Sequence, residues 1–379
     1  MAEQLAARAH HTERIVRECR AGRRTCALSV SGNRSLLKKR GRPITLSVLD
    51  LVPVRSGASA REAMQESVDL ARLAERLGFV RYWFAEHHGI ASIASSVPEI
   101  LIEHVASATS RIRVGSGGIM LPNHPPLRVA EAFHTLETLH PNRIDLGLGR
   151  APGTDPATSR ALRPFDGELF PEQVKEMLAL SRRQFPADHP FASVRVVPDG
   201  VTLPPIWVLA SSGATAAFAG SMGMGYGFAR HFSPTPPGPA IRAYREHFQP
   251  SMQFPAPHVI LGVSVICAPT AEEAEYLASS SDLGWVRLHR REFLPLPSPE
   301  EASRYVYSPQ ERVVVEMNRA RHFIGTPEKV AHMIRNITSD LQVDEVMITS
   351  MVYGRMERFR GYELIAQELG PARVSGSES

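Results

Sequence analysis

From residue 43 onward, short β-branched or apolar runs alternate with amphipathic segments of helical period, and no other feature of the chain narrows its fold as much. Eight runs stand out: Ile44 to Leu51, Arg81 to His88, Ile112 to Leu121, Arg143 to Gly149, Ile206 to Ser212, Tyr226 to Phe232, Val259 to Cys267 and Glu345 to Tyr353. Several are almost continuously hydrophobic, as strands are when both faces of a sheet are covered. Repetition of strand and helix builds a parallel sheet, and eight such units predict a closed α/β barrel, the (β/α)8 TIM barrel, over residues 43–370. The helix starts carry their own chemistry. Ser59 with Glu62, Ser96 with Glu99 and Thr270 with Glu273 have capping-box spacing, Gly78 offers a left-handed stop, and Thr326-Pro327 reads as a cap followed by a first-turn proline.

Two connections exceed what a barrel needs. Ala151 to Leu203, Pro-rich with one helical piece from Pro171 to Arg183, follows the fourth run; Leu283 to Phe323, with Trp285, Tyr305 and Tyr307, follows the seventh. Both insertions fall at the end of the barrel where active sites lie, so they predict a lid, with variable surface packing as the plainer reading.

A sequence pI near 9.1 suggests nucleic acid until the charge is located. Residues 1–42 carry eleven of the 43 Arg and Lys against three of the 39 acids, so the rest of the chain is net acidic. This N-terminal tail lacks sustained apolar periodicity and reads as disordered and dispensable, and residues 371–379 form a short C-terminal tail. A weak anion or nucleic-acid contact, or an organelle transit peptide, is the sharper alternative for it. The chain contains no apolar run of the roughly 18 to 20 residues that a membrane span needs, and no secretory signal, which predicts a cytoplasmic protein that engages neither nucleic acid nor membrane. Cys19, Cys26 and Cys267 have no disulfide or metal-ligand spacing.

The chemistry is sought where the runs end. The second ends Ala85-Glu86-His87-His88-Gly89, where alternation puts Glu86 and His88 on one face and His87 on the other, one histidine catalytic and the other structural. A metal site is the rival, but further ligands on later strands are missing; in the plainest reading both histidines merely bond neighbouring backbone. The third run holds Gly115-Ser116-Gly117-Gly118, the fourth Gly147 and Gly149 before Arg150. Glycines inside buried strands suggest that something flat approaches the backbone, here an open space beside a fixed positive charge. The fifth leads through Ser211, Ser212 and Gly213 into a helix beginning near Ala214 and Thr215, a cradle for an anion at a helix N-terminus.

Four of these segments together, Ala85 to Gly89, Gly115 to Pro125, Asn142 to Asp155 and Ala210 to Ala214, resemble in order the signatures of the bacterial luciferase-like flavin monooxygenases, in the alkanal-monooxygenase-like branch. The resemblance covers about residues 43–370. It implies a catalytic histidine at His87 with His88 beside it, Glu86 near the cofactor, a non-prolyl cis peptide at Gly117-Gly118, a flavin-contacting Arg150, and phosphate binding by Ser211, Ser212, Gly213 and Thr215. It further implies reduced FMN as co-substrate, dioxygen, a flavin peroxide that oxidises a small organic molecule, a separate NAD(P)H-dependent flavin reductase, and a homodimer. The luciferase subunit has a cysteine where Gly149 stands and an acid where Ser211 stands, so light emission does not carry over. A deazaflavin-dependent hydride-transfer enzyme and a non-catalytic flavin-binding protein are the other readings of the same barrel.

Overall fold

We describe residues 44–370 from a computed structural model; the remaining residues, which hold the two expected tails, lie outside the described residues. Ten strands are present among those described: β1 (Thr45–Asp50), β2 (Arg81–Phe84), β3 (Arg113–Ser116), β4 (Ile119–Met120), β5 (Ile144–Gly149), β6 (Ile206–Leu209), β7 (Gly225–Ala229), β8 (Val259–Cys267), β9 (His322–Gly325) and β10 (Glu345–Thr349). Eight of them close a parallel ring in the order β1-β2-β3-β5-β6-β7-β8-β10, with Thr45 opposite Glu345 at the seam. This is the (β/α)8 barrel, and each of its strands falls in one of the eight sequence runs, β7 starting one residue early at Gly225. β4 resumes the line of β3 and pairs with the upper half of β5. The helices are α1 (Ala60–Leu77), α2 (Pro98–Ala108), α3 (Pro126–Leu139), α4 (Pro156–Leu162), α5 (Phe170–Arg182), α6 (Gly213–Ser221), α7 (Pro237–Glu246), α8 (Ala271–His289), α9 (Pro299–Arg304), α10 (Pro309–Arg319), α11 (Pro327–Leu341) and α12 (Arg355–Leu369).

Local chemistry sets most of the boundaries. Ser59 and Glu62 form the reciprocal capping box of α1, and Gly78 ends that helix at φ 86°. Thr270 and Thr326 accept the N–H groups of Glu273 and Lys329. The box expected at Ser96 and Glu99 does not form. α2 starts at Pro98, because a proline, which has no N–H to satisfy, takes the first helical position and moves the start past Ser96.

The insertions need two corrections. In 151–203 the expected helix is α5, and the shorter α4, capped by Asp155, precedes it. In 283–323 the helix α8 runs on to His289, and the segment's end is not loop but the start of β9. β9 pairs with the upper half of β8, Ser264 opposite His322, while β10 takes the lower half, Ile260 opposite Glu345. A strand of four residues is too short to announce itself by period.

The glycines also have a different reason from the one expected. Inward-facing Leu49, Trp83, Ala85, Trp207, Ile260 and Met347 meet in the barrel with Phe254. Their bulk is accommodated by glycine on the neighbouring strand: a Cβ on Gly225 would stand 2.3 Å from the Trp207 ring, and one on Gly115 2.9 Å from Trp83 Nε1. A Cβ on Gly147 would meet the Ser116 carbonyl oxygen at 2.1 Å, one on Gly117 Leu49, and one on Gly149 Met120. At these positions the missing side chains make room for the protein's own packing.

The N-terminal end of the barrel is sealed by charge. Arg81 bridges Asp145 (2.8 Å) and Glu345 (3.0 Å), Arg113 adds a second bond to Asp145 (2.7 Å), Ser47 donates to Glu345, and Arg81 stacks 4.7 Å over Trp207. Burial would raise the two carboxyls, but Arg81 and its neighbours hold both below the usual range.

Candidate active site

The C-terminal end is built around the segment after β2. The strand stops at Phe84, four residues short of the expected His88, because the chain leaves the ladder to bond loops: His87 N–H to Ser95 O (3.0 Å) and His88 N–H to Gly153 O (3.3 Å). Alternation nevertheless holds. His88 Nε2 reaches back to Glu86 Oε1 at 2.9 Å, and His87 faces the other way, its Nδ1 3.2 Å from Gly153 O. A carbonyl only accepts, so Nδ1 of His87 carries the proton and Nε2 of the neutral ring is left with a lone pair. Burial lowers the His87 pKa, which keeps it neutral.

Glu86, expected near the cofactor, is fully buried and engaged by the chain itself. Oε1 accepts from His88, from His124 Nε2 (2.9 Å) and from Asn123 Nδ2 (3.3 Å), and Oε2 accepts the Met120 N–H (2.9 Å). Burial opposes ionisation, but the bonds from His124 and His88 outweigh it and hold the carboxyl at about 2; the same contact raises His124. Asn123 also donates to Pro152 O (3.0 Å), and Thr154 Oγ1 to His88 O (2.7 Å). Glu86 therefore ties together the end of β2, the segment after β4 and the loop after β5, the three pieces that surround His87.

The Gly117-Gly118 peptide is cis, with Gly117 N–H bonded to Phe84 O at 2.7 Å. Arg150, just past β5, is exposed, and its nearest carboxylate, Glu168, stands 3.9 Å away, so no tight ion pair engages it. At the start of α6, Ser212 Oγ accepts the Thr215 N–H (3.3 Å) and donates to Thr215 Oγ1 (2.9 Å). Ser211 and Gly213 are exposed, and the nearest atom to a Cβ on Gly213 would be Ala243 Cβ at 3.9 Å. Ser211, Ser212, Gly213 and Thr215 are thus brought together, whereas the sequence reading gave no role to Asn123 and His124, although they sit inside one of its motifs, and none to His231 and His322. Burial, then charged and imidazole neighbours, lowers both of these last to about 4. Nothing in their spacing marks them; only the ring of strands joins them. Among the described residues no group of His, Cys, Asp or Glu forms a metal site, and no helix is long and apolar enough to cross a membrane.

A family model described as luciferase-like monooxygenase matches residues 44–345. A luciferase-like monooxygenase of Escherichia coli K12 is 40% identical over 85% of this chain and 96% of its own, and an N-acetyl-S-alkylcysteine monooxygenase of Bacillus subtilis is 31% identical over 87% and 99%. The solved structure of apo-MsnO8 has a TM-score of 0.79 at 32% identity, covering 87% of this chain and 99% of its own. More distant structures share the fold alone: the oxygenating constituent of 3,6-diketocamphane monooxygenase from Pseudomonas putida in complex with FMN (TM-score 0.63, 18% identity, 88% and 99% covered) and an F420-dependent secondary alcohol dehydrogenase (0.63, 14%, 86% and 99%).

Proposed function

Because the chain belongs to the luciferase-like monooxygenase family, we propose that it oxidises a small organic molecule, an aldehyde, a ketone or a secondary-metabolite intermediate, with dioxygen and externally reduced FMN. The observation that carries this reading is His87, held neutral with its Nε2 lone pair free, beside the cis Gly117-Gly118 turn and within one barrel end of an open helix N-terminus.

The phosphate end fits FMN. The first-turn N–H groups of α6 have no place in the helix's own ladder, and the positive end of its dipole favours an anion. Gly213 leaves the approach clear, and Arg150, without a tight carboxylate partner, is free to swing to a phosphate. When bound, reduced FMN supplies the electrons that activate dioxygen. His87 Nε2 takes or returns a proton at the reacting face, Gly153 O fixes its tautomer, and the Glu86 network fixes the loops that carry it. The insertions after β5 and β8 would cover the mouth and keep water from it. A separate NAD(P)H-dependent reductase delivers the reduced flavin, the protein acts as a homodimer, and it works in the cytoplasm.

The test is a spectrum of the protein mixed with photoreduced FMN and then air. Retarded flavin reoxidation, with oxygen incorporated into added substrate, is the expected result. Reoxidation at the free-flavin rate, or reduction of a deazaflavin with no oxygen uptake, sinks the proposal and favours hydride transfer.

A further inference from the structure

Val52, the second residue past β1, is buried and has φ 53°. A β-branched residue adopts the left-handed region less readily than almost any other, and such a backbone persists only where its surroundings over-determine it. Here Asp50 closes the turn, its Oδ1 accepting the Val52 N–H at 2.9 Å. Leu49 packs inside the barrel, so Asp50 points outward, behind the wall and away from the mouth. There it meets Arg358 of α12. Nη2 of Arg358 donates to the same Oδ1 at 2.6 Å and Nε to Ser350 O at 3.1 Å, while the Tyr82 hydroxyl donates to Asp50 Oδ2. Burial would raise the Asp50 carboxyl, but Arg358 and the hydrogen bonds hold it below its ordinary value.

The turn makes the chain that follows it the middle member of a ribbon. On one edge the Ala94 N–H donates to Val52 O (3.0 Å) and the Val54 N–H to Ser92 O (2.9 Å), with Pro53 bridging Ile93. On the other edge lies Leu296 of the insertion after β8. Its N–H donates to Val54 O and its carbonyl accepts the Ser56 N–H, both at 2.9 Å, and the Tyr353 hydroxyl donates to Ser56 O at 2.8 Å. The first edge continues into Ser95, whose carbonyl accepts the His87 N–H, and Asp50 O itself accepts the Ala85 N–H at 3.1 Å. The segment that carries His87 is therefore held from two sides, by the Glu86 network towards the loop after β5 and by this ribbon towards β1.

A buried ion pair is a weak source of net stability, because apolar residues of the same volume often hold a fold as well. Arg358 is only 2% exposed and its Nη1 is buried without a partner, a cost that an apolar filling would not carry. What the pair does that apolar residues cannot is accept the Val52 N–H and fix one backbone geometry there.

Building on the reading of His87 as the group that handles the proton, we infer that Asp50 and Arg358, which touch neither cofactor nor substrate, are positioning residues for His87. They act through the left-handed turn at Val52 and the ribbon that ties the His87 segment to the insertion after β8.

Nitrogen NMR of the full chain carrying labelled histidine reads this position directly and needs no flavin; the His87 ring is identified by its loss in His87→Ala. In the wild type that ring should be neutral with its proton on Nδ1, held to Gly153 O. Arg358→Met should mix in the other tautomer. It should also speed the air reoxidation of protein-bound, photoreduced FMN by about tenfold or more, within what a misplaced reacting group costs, while FMN affinity changes little. Arg81→Met, which breaks a buried pair at the other end of the barrel, is the control: it should lose stability and leave the His87 ring unmoved. If Arg358→Met does not fold, Asp50→Asn, which keeps the shape and an oxygen for the Val52 N–H, should give the same changes in smaller measure. An unmoved ring and unchanged reoxidation in the variant, with only the melting temperature lowered, overturns the inference, and so does an equal disturbance of the ring by Arg81→Met. A wild-type protein that neither binds FMN nor alters its reoxidation refutes the proposed function, and the ring signal then decides the positioning role alone.

Discussion

The two ends of this barrel are built from the same kinds of residue and use them in opposite ways. At the N-terminal end Arg81, Arg113, Asp145, Glu345 and Ser47 use their hydrogen-bonding capacity on one another, and Trp207 roofs the cluster. At the C-terminal end His87 keeps a lone pair free, and Nδ1 of His231 is buried without a partner. Perturbed ionisation marks both ends, so displaced pKa values alone do not separate a plug from a site. What separates them is that the closed end pairs its charges with one another, whereas the open end keeps His87 Nε2 without a partner.

Breaking the closed end should have the largest effect. Arg81→Met removes the guanidinium from Glu345 and one of two from Asp145, and truncating one partner of a buried ion pair costs about 3–5 kcal/mol. Urea denaturation should show that loss with FMN binding retained in the folded fraction. Both carboxyls have folded pKa values below their unfolded ones, so their contribution is complete above about pH 4 to 4.5 and fades as pH falls through the folded values. In Arg81→Met that acid-side slope should flatten. A variant within about 1 kcal/mol of wild type would mean that the cluster is ornament.

At the open end, His87→Ala should leave the fold intact and lower oxygenated product by about 10²- to 10⁴-fold, with electrons diverted to hydrogen peroxide. His88→Ala is its counterpart. It strips one donor from Glu86 and should show up mainly in melting temperature, at about 1–3 kcal/mol. Product lost only at His88 would reverse the assignment, and full product in both would shift the chemistry to Arg150 and the backbone.

The difference between the ends also decides what the sequence could reveal. Strand period and capping are local, so the ring of eight strands and the caps at Ser59, Thr270 and Thr326 were legible, as was the alternation of Glu86, His87 and His88. The resemblance to a family supplied the cis bond at Gly117-Gly118. Contacts made by closing the ring were not legible. Arg81 meets Glu345 across almost the whole described chain, His322 joins Ser264 only through β9, the glycines of β3 and β7 answer to Trp83 and Trp207 on neighbouring strands, and those of β5 to Ser116 and Met120. Ser96 misled because a proline two residues later settled the helix start more strongly than a hydroxyl could.

The α6 cradle offers a smaller effect that sharpens the comparison from the ligand's side. Ser212→Asp puts a negative charge where the phosphate is proposed to sit and should weaken FMN at least about tenfold while changing riboflavin little, since only FMN carries the phosphate. Gly213→Ala, with 3.9 Å to its nearest neighbour, should leave stability within about 0.5 kcal/mol or improve it through helix propensity. Equal weakening of both flavins by Ser212→Asp would place the phosphate elsewhere.

The smallest effect concerns the one carboxylate of the open end that resembles the closed end. Glu86 has its donors, as Glu345 does, but two of them are histidines, so its network responds to pH from both sides. Glu86, held at about 2 against an ordinary 4.5, contributes fully above 4.5 and loses its contribution as pH falls towards 2. His124, raised above 6.5 by that carboxylate, contributes fully below 6.5 and loses its contribution as pH rises through its folded value. The pair is therefore worth most between about pH 4.5 and 6.5. His124→Gln should lower the melting temperature most within that window, by the equivalent of about 1 kcal/mol, and the two curves should draw together on the alkaline side. Convergence on the acid side alone would show that His124 enters the fold neutral and that Asn123 and Met120 suffice to hold Glu86. The loops around His87 would then be fixed by hydrogen bonds alone, and the open end of the barrel would contain no structural ion pair at Glu86.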